Sequence, residues 1–449
     1  MTTAPRFQKE LFMTLRLLPL TLSLTAALAG TAQAQSLVLL YEAAKGYDAS
    51  YKAAQSQYQA NLAKAEQVKA LLRPSAGLGA NVSESNFDNV TISNADASYG
   101  TRNFTLNASQ PLYRPANKAS FEQGMKQLGL AKAQLKTAEQ ELIIRVIQAY
   151  FDVLTAQESL TFVKAQKTAV AEQLAAAKRN FEVGTSTITD TREAQARFDL
   201  VTAQEIAAEN DLRVKKLALD LSVGTTNAQP LPLQVGANLN ASAIGDAETW
   251  VQQSTTQNPG IEQARIALEV AQLEIEKAKA GLLPTLDLTA SFGGTRFRNG
   301  SPSRVDNNTA TIGLNFNMPL YTGSATQNRI QETVALEDKA RNDLDAAQRN
   351  VAQATRTAFF GVQSGLGQIK ALEAAEASSQ SALDANKLGY QVGVRINIDV
   401  LNSQSQLFQT KRDLAKARYD VLLGQLKLSQ AAGVLKLEDL QKINDLLQK

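Results

Sequence analysis

The chain repeats its own pattern at an interval of roughly 200 residues, and this internal repeat limits the folds available to it. A Pro-Leu-Tyr segment at 111–113 returns at 319–321, an offset of 208, and Gly184 returns as Gly393, an offset of 209. Solenoid repeats are only about 20 to 50 residues long. Each copy is therefore a substantial half of the structure and not a single supersecondary unit.

The repeat divides the chain into five predicted segments. Residues 1–34 form an export signal, and 35–224 form the first structural repeat. Residues 225–248 are rich in Asn, Ala, Gly and Pro and are expected to form an inter-repeat linker or a small equatorial region, which the second repeat follows at 249–433. The tail, 434–449, has leucines at helical spacing, so we expect a short helix that packs on the rest of the chain.

The N-terminus has the three-part layout of a secretory signal peptide. Basic side chains precede an apolar run at 17–29, and Ala-Gln-Ala at 32–34 provides a small-x-small cleavage site. The mature chain is then expected to begin at Gln35, whether translation starts at Met1 or at Met13. The alternative is an amphipathic helix that stays on the mature chain.

Each repeat contains two segments in which apolar and polar side chains alternate strictly, as in strands with two different faces. Each segment runs for about nine or ten residues, the length of a tilted strand that crosses a bilayer. Small polar groups occupy the other face, where a water-filled lumen would need them. A soluble antiparallel sheet with one wet face gives the same alternation. The segments are 75–83, 104–109, 285–292 and 310–318.

Four strands are too few to close a barrel, and this number decides the architecture if the strands lie in lipid. An open sheet edge in lipid leaves backbone N–H and C=O groups without partners, at several kcal/mol each. Closure would then come from other copies of the chain. The connections within the strand pairs, 85–100 and 293–308, are rich in polar residues and are expected to form outer loops.

Most of the remaining sequence predicts long helices. None of the 11 prolines lies within 116–229 or 320–449, so helices there are not interrupted. About 60 helical residues form a rod about 90–100 Å long. Rods of this length pack side by side as coiled coils; a purely filamentous coiled coil would leave the strands unexplained. The predicted helices are 36–71, 116–179, 190–221, 261–280, 325–388 and 400–431.

The composition excludes several classes of function. The chain has no His and no Cys, which removes thiolate nucleophiles, His bases and nearly all transition-metal sites. With 46 Lys+Arg against 43 Asp+Glu, the net charge is +3, without the basic excess typical of nucleic-acid-binding proteins. The sequence shows neither a Gly-rich nucleotide loop nor a catalytic pair of carboxylates. We therefore predict no enzyme activity, no metal site, no cofactor and no nucleic-acid partner.

Several motifs carry a family resemblance: Gln-Pro-Leu-Tyr at 110–113, Met-Pro-Leu-Tyr at 318–321, Gln-Ala-Tyr-Phe-Asp-Val-Leu at 148–154, Phe-Glu-Val-Gly-Thr at 181–185 and Tyr-Gln-Val-Gly-Val-Arg at 390–395. With the repeat and the strand positions, the chain resembles the TolC family of outer-membrane efflux and secretion channels. The resemblance implies a mainly α-helical chain with a membrane β-barrel. Three chains would give four strands each to one outer-membrane barrel, continued by a long periplasmic α-helical tunnel.

The resemblance also implies how the protein works and with which partners. The homotrimer would be a passive duct that exports drugs, other small molecules or proteins. It would contact outer-membrane lipid, a periplasmic adaptor protein and an inner-membrane pump driven by protons or by ATP. The alternative function is a periplasm-spanning structural or adhesive coiled-coil protein with an outer-membrane anchor.

A closed gate at the periplasmic tips of the helices is a further implication of the resemblance. Asp399 matches an acidic residue that rings the constriction in relatives, and three copies around an axis would attract cations. Asn402 lies where relatives can carry a second acidic residue, so weaker cation selectivity is expected here.

The same comparison of motifs implies a latch that holds the gate shut. Tyr390 and Arg395 match residues that tie the inner helix pair to Thr189 and Asp190 on the outer pair. Each such contact is partly exposed to water and therefore weak, so the gate would be held shut only by three symmetric copies of the contact acting together.

Two glycine-containing turns are expected where the rods reverse, because Gly tolerates the left-handed backbone that ends a helix. Asp190 is predicted to be the N-cap of the returning helix, with Glu193 completing a capping-box-like pattern, and Asp399 occupies the equivalent place. By resemblance the turns are also the surface that docks the adaptor. The turn residues are Val183, Gly184, Thr185, Val392, Gly393 and Val394.

Prolines mark the two junctions between strand and helix. Pro111 and Pro319 remove a ladder donor and are expected to end strand pairing, so that the chain turns into helix. Tyr113 and Tyr321 follow them and are predicted to lie at the periplasmic boundary of the membrane, where an amphipathic ring is favoured.

Overall fold

The computed structural model describes residues 36–87, 97–234, 245–298 and 306–448. The predicted signal peptide lies outside these residues. The central parts of both predicted outer loops and of the predicted linker also lie outside them.

Both halves of the described chain have the same order of elements: two helices, two strands, a very long helix and a shorter helix. This order favours the predicted duplication, whose segment boundaries stay predictions. The elements are α1 (Leu37–Tyr47), α2 (Ala49–Ala70), β1 (Ser75–Phe87), β2 (Ala97–Tyr113), α3 (Pro115–Glu182), α4 (Ile188–Val223), α5 (Ala247–Gln257), α6 (Pro259–Lys279), β3 (Thr285–Arg298), β4 (Asn307–Asn317), α7 (Ala325–Gln391), α8 (Asn397–Ala431) and α9 (Leu437–Asn444).

The strands form one antiparallel sheet in the order β1-β2-β3-β4, which places β1 and β4 at its edges. They are 13, 17, 14 and 11 residues long, so the prediction of nine or ten residues was too short. The predicted ends lay where the apolar alternation stops. Backbone pairing needs no apolar side chain, and the ladder continues through polar pairs such as Ser83 with Thr101.

The register brings the apolar side chains of all four strands onto one face. Leu78 lies opposite Leu106, which lies opposite Phe292, and Leu288 lies opposite Leu314. Because the side chains of a strand alternate between faces, the Ser, Thr, Asn and Gly residues share the other face. The exposed leucines and phenylalanines thus form a continuous apolar surface, as expected for strands that face lipid.

The predicted long helices are present and extend slightly beyond their predicted ends. α3 has 68 residues and α7 has 67, which corresponds to about 100 Å at about 1.5 Å per residue. The helix predicted at 36–71 is divided in two at Asp48, whose carboxylate accepts the Tyr51 N–H at 2.7 Å and caps α2. An Asp inside a helix-like pattern was the signal for this break.

The helices pack as two antiparallel pairs that lie side by side. α3 packs along α4, α7 packs along α8, and α3 also contacts α8. Apolar side chains are buried in separate clusters along these pairs and not in one globular core. None of the described helices is long and apolar enough to cross a membrane.

The predicted tail helix is part of the largest cluster. Leu440 and Leu447 are buried there with Leu37 and Leu40 of α1. The Leu37 N–H also donates to Asn444 Oδ1 at 3.0 Å. The tail therefore joins the N-terminal end of the described chain to the helix pairs, in agreement with the expected packing.

Candidate functional site

Two tight turns reverse the long helices, one between α3 and α4 and one between α7 and α8. Each contains a glycine in the left-handed region, Gly184 with φ +77° and Gly393 with φ +80°. In both, the N–H that follows the glycine donates to the carbonyl five residues earlier; the first is Thr185 to Asn180 at 2.8 Å, and its counterpart is also 2.8 Å. This is the Schellman closure of a helix, so both glycines end their helices as predicted.

The carboxylate of Asp190 is held inside the first turn. Asp190 is the third residue of α4 and not its N-cap, so that prediction was wrong. The N-cap is Thr187, whose hydroxyl accepts the Asp190 N–H at 3.2 Å, while the Asp190 carboxylate accepts the Thr187 N–H at 3.0 Å. The true capping box runs from Thr187 to Asp190, and the pattern with Glu193 starts one turn too late.

Two hydroxyl groups complete this arrangement. Ser186 Oγ donates to Asp190 Oδ2 at 2.7 Å and Thr187 Oγ1 donates to the same oxygen at 2.8 Å. Partial burial acts to raise the pKa of Asp190, but the bonds from Ser186 and from Thr187 outweigh it and leave the pKa below its ordinary value. Asp190 is therefore a firmly ionised, structurally engaged group.

Asp399 occupies the same helical position in the second turn but has different neighbours. The N-cap of α8 is Ile396, which makes no side-chain cap. Asp399 Oδ2 lies 3.7 Å from Arg395 Nη1, in an exposed pair too long for a hydrogen bond. The Arg395 side chain lies over Gly389, where an added Cβ would be 2.7 Å from Arg395 Cγ. The second turn thus presents an acid and a base that are only weakly engaged.

A buried asparagine that the sequence prediction missed joins the two turns. Asn397, the first residue of α8, is fully buried and donates from Nδ2 to the Asp190 carbonyl at 3.3 Å. Its Oδ1 accepts a hydrogen bond from Gln173 Nε2 of α3. The repeat held a signal for this role, because the equivalent residue of the first copy is the apolar Ile188.

Among the described residues of one chain, the predicted latch contacts are absent. Arg395 pairs with Asp399 rather than with Thr189 or Asp190. Tyr390 OH accepts a hydrogen bond from Asn180 Nδ2 at 3.4 Å. The reason is the direction of the Arg395 side chain, which folds back over its own turn.

Asn402 lies on α8 about one turn after Asp399, beside the guanidinium group of Arg197. Arg197 Nη2 of α4 donates to Asn402 Oδ1 at 2.7 Å. Both side chains line a polar hollow of about 400 Å³ that also contains Arg412, whose pKa is lowered by burial. The amide oxygen of Asn402 is therefore already engaged with a guanidinium from the outer helix pair.

The outermost residues of both turns are exposed and partly apolar. Val183, Val392 and Val394 are each about two-thirds exposed or more, at 72%, 65% and 78%. Thr185 is exposed as well. Three valines at the end of a rod form an apolar surface that the described residues of this chain leave exposed.

The junction prolines behave differently in the two repeats. β4 ends at Asn317, just before Pro319, as predicted. β2 continues to Tyr113 through a register shift next to Pro111, so the prediction that Pro111 ends the pairing was wrong. A bulge tolerates a residue without an N–H donor, which explains the continuation. Tyr113 and Tyr321 are both exposed.

An ion pair at the first junction was not predicted. Arg114 follows β2 and donates from Nε and Nη2 to the two carboxylate oxygens of Asp287 at 2.7 and 2.6 Å. Asp287 is buried on β3, so the guanidinium is its main counter-charge. The sequence signal for this ion pair was Asp287 itself, an acid on a strand face that otherwise consists of Ser, Thr and Gly. Within the described ranges, no group of three or more acidic side chains lies close enough to hold a metal ion.

Comparison with known proteins agrees with this geometry. The model of the outer membrane efflux protein family matches residues 27–225 and 250–434. Outer membrane protein TolC of Vibrio cholerae is 33% identical over 436 residues, which cover 96% of this chain and 98% of that protein. TolC of Escherichia coli is 30% identical over 446 residues, covering 97% and 90%.

A solved structure has the same fold. The outer membrane protein VceC from Vibrio cholerae superposes with a TM-score of 0.76 at 21% identity, covering 88% of this chain and 96% of that one. The predicted resemblance, the mainly helical fold with a four-stranded antiparallel sheet and the outer-membrane location are thereby confirmed. The chain therefore belongs to the outer membrane efflux protein family, and it is an exit duct of the outer membrane for efflux or secretion.

Proposed function

We propose that three copies of the chain form one passive duct through the outer membrane and into the periplasm. The observation that carries this proposal is the four-stranded sheet, whose edge strands β1 and β4 each pair with one neighbour in the described chain. Such edges cannot stay unpaired in lipid. If β4 of one copy pairs with β1 of the next, three copies supply twelve strands, an even number in the range of outer-membrane barrels.

The helical part supports the same assembly. α4 and α7 lie at opposite sides of the two packed pairs and carry exposed apolar side chains, among them Ile206, Leu217 and Leu221 on α4 and Phe360 and Leu388 on α7. Packing α4 of one copy against α7 of the next would bury these side chains. The helices would then enclose a tunnel as long as the helices themselves.

At the turns we place the gate. Three copies of Asp399 around the axis would form a ring that attracts cations, with Asn402 held by Arg197 and adding no charge. For the latch, Arg395 and Tyr390 of one chain would meet Thr189 and Asp190 of the neighbouring chain. The hydrogen bonds that the described residues donate to the Asp190 carboxylate end on Oδ2, which leaves Oδ1 available to such a partner.

The exposed valines at the turns support a docking role. A periplasmic adaptor protein would cover Val183, Val392 and Val394, with Gly184 and Gly393 allowing close approach of its backbone. Energy for transport would come from an inner-membrane pump, driven by protons or by ATP. The duct itself would catalyse no reaction and hold no cofactor.

The trimer can be tested by disulfide cross-linking between copies, because the chain has no natural cysteine. Single cysteines would replace Gly77 and Gly79 on β1 and Gly313 and Asn315 on β4, alone and in β1–β4 pairs. We expect at least one pair to give a disulfide-linked trimer on a non-reducing gel, with cation-selective conductance of the purified protein in planar bilayers.

The single-cysteine variants are the controls, since one cysteine per chain can link at most two copies. Dimers from every pair with no trimer would contradict ring closure. A trimer without conductance would favour the alternative of a structural coiled-coil protein with a membrane anchor.

A further inference from the structure

A hollow of about 370 Å³ lies on the apolar face of the sheet, towards the end that bears the predicted outer loops. Val82, Phe104 and Phe292 provide its apolar wall. Gly294 lies on the same face, where an added Cβ would lie only 3.0 Å from Asn308 Oδ1 and would crowd the edge of the hollow. The hollow is therefore a concave apolar site within a surface that faces outwards.

Two arginines line the side of this hollow that is closer to the loops. Arg102 of β2 and Arg296 of β3 are directly opposite each other in the sheet. Like charges in this position repel and destabilise the pairing. Arg298 lies on the same face one row further on, opposite Gly100. An anion between the guanidinium groups would remove the repulsion.

The acidic groups nearby compensate these charges only in part. Arg296 Nε lies 3.6 Å from Asp306 Oδ2 in an exposed pair, and its other nitrogens donate to the Asn307 carbonyl and to Asn308 Oδ1, both at 3.1 Å. Glu84 also lies on this face. Arg102 forms no ion pair with any carboxylate of the described residues. The three arginines around the hollow outnumber the two described acids, Glu84 and Asp306, by one positive charge.

The depth of the arginines fits the boundary of a membrane. Arg296 follows Leu286, near the periplasmic end of β3, by ten residues. At about 3.3 Å per residue this is about 33 Å along the strand, and a tilt of about 40° reduces it to about 25 Å, the height of the apolar band of outer-membrane barrels. The apolar wall is then at the level of acyl chains and the guanidinium groups are at the level of lipid headgroups.

We propose that the hollow binds a lipid whose headgroup carries phosphate, in the outer leaflet of the membrane. An acyl chain would lie along Phe104 and Phe292, and a phosphate would sit between Arg102 and Arg296. The planar guanidinium group of Arg102 suits a bidentate contact with phosphate oxygens, and that of Arg296 adds a second positive charge. β2 and β3 are the two central strands of the sheet, so closure of a ring at β1 and β4 leaves the site uncovered. The inference rests on the proposed placement of the sheet in the membrane.

The test uses the purified full-length protein in detergent, with lipid A as the probe and native mass spectrometry as the measurement. We expect lipid A to bind the wild type, and to bind Arg102→Gln/Arg296→Gln at least about tenfold more weakly, because two charge-assisted contacts are lost. Arg102→Lys/Arg296→Lys should retain part of the affinity. Arg341→Gln/Arg349→Gln removes the same charge on α7 and should bind as the wild type does.

Three outcomes would overturn the proposal: equal binding by the glutamine variant, equal binding of a dephosphorylated lipid A, or displacement of lipid A by millimolar inorganic phosphate alone. The last would leave a simple anion site. Conductance measured on the same variants separates this inference from the proposed duct. The glutamine variant should conduct as the wild type does, whereas a silent wild type would contradict the duct itself.

Discussion

The turn between α3 and α4 and the turn between α7 and α8 have the same backbone but different side-chain chemistry. In both, a glycine with positive φ ends the first helix, and an aspartate is the third residue of the second helix. In the first turn the aspartate accepts hydrogen bonds from Ser186 and Thr187. In the second, the equivalent residues are Arg395 and Ile396, and the hydroxyl groups are absent.

This difference separates an aspartate that is held by its own turn from one that is only weakly paired. The first turn satisfies its own polar groups, so its aspartate stabilises the helix start. In the second turn the exposed Arg395 and the half-buried Asp399 are only weakly paired, which leaves both available for partners or ions. The second turn is joined to the first turn through a buried amide at Asn397, where the first copy has Ile188. A repeat can thus keep one backbone while the side chains of its two copies make different contacts.

The largest expected effect of a change in the turns is at Asn397. Asn397→Leu removes the hydrogen bonds to the Asp190 carbonyl and from the half-buried Gln173 amide, which should lower the free energy of local opening by about 1–3 kcal/mol. Amide hydrogen exchange across both turns measures this opening. Ile188→Leu is the matched control in the first copy and should change it by less than about 0.5 kcal/mol. Equal effects of the two variants would contradict the inferred difference between the two turns.

The shared backbone predicts equal effects at the two glycines. Gly184→Val and Gly393→Val place a β-branched residue at positive φ, which should cost about 1–2 kcal/mol in each turn. Hydrogen exchange of the residues that follow each glycine provides the measurement. A cost in only one turn would mean that the closures differ in energy despite the same geometry.

Acid should affect the first turn through Asp190. Its pKa is lowered in the folded state, so the stabilisation is present above the ordinary aspartate value of about 3.9 and is lost as the pH falls through the lower folded-state pKa. Local opening of the first turn should therefore become easier as the pH falls below about 4. Asp190→Asn should weaken the turn at neutral pH and abolish this dependence. A dependence that persists in Asp190→Asn would assign it to another group.

The smallest effect on stability is expected at Arg395. Its pair with Asp399 is exposed and long, so Arg395→Ala should change local stability by no more than about 0.5 kcal/mol. The same variant should raise single-channel conductance in planar bilayers if Arg395 closes the gate. Arg349→Ala, on α7, is the charge-matched control. An unchanged conductance together with an unchanged stability would contradict the latch.

Several features of the fold were accessible from the sequence because they depend on local patterns. Alternation identified the four strands, the lack of prolines identified the long helices, and Gly184 and Gly393 identified the ends of α3 and α7. The errors also have local causes. The pattern with Glu193 predicts Asp190 as the N-cap of α4, whereas the N-cap is Thr187. The bulge next to Pro111 was not expected, because a proline usually ends strand pairing.

Other features depend on residues far apart in the chain. The bond from Asn397 to Asp190, the ion pair between Arg114 and Asp287, and the opposition of Arg102 and Arg296 join positions more than 170 residues apart. Neither periodicity nor spacing specifies such pairs. They follow from the register of the sheet and from the alignment of the helix pairs.

The sequence by itself determined the number of strands, the length of the helices, the places where the helices reverse and the family. These depend on backbone preferences and on hydrophobic periodicity, which act over a few residues. Only the tertiary structure decided which polar groups meet, because a hydrogen bond or an ion pair forms only when packing brings two groups within about 3 Å in a suitable direction. For that reason the sequence shows that the two turns carry different side chains, but only the packed structure shows which partners those side chains meet.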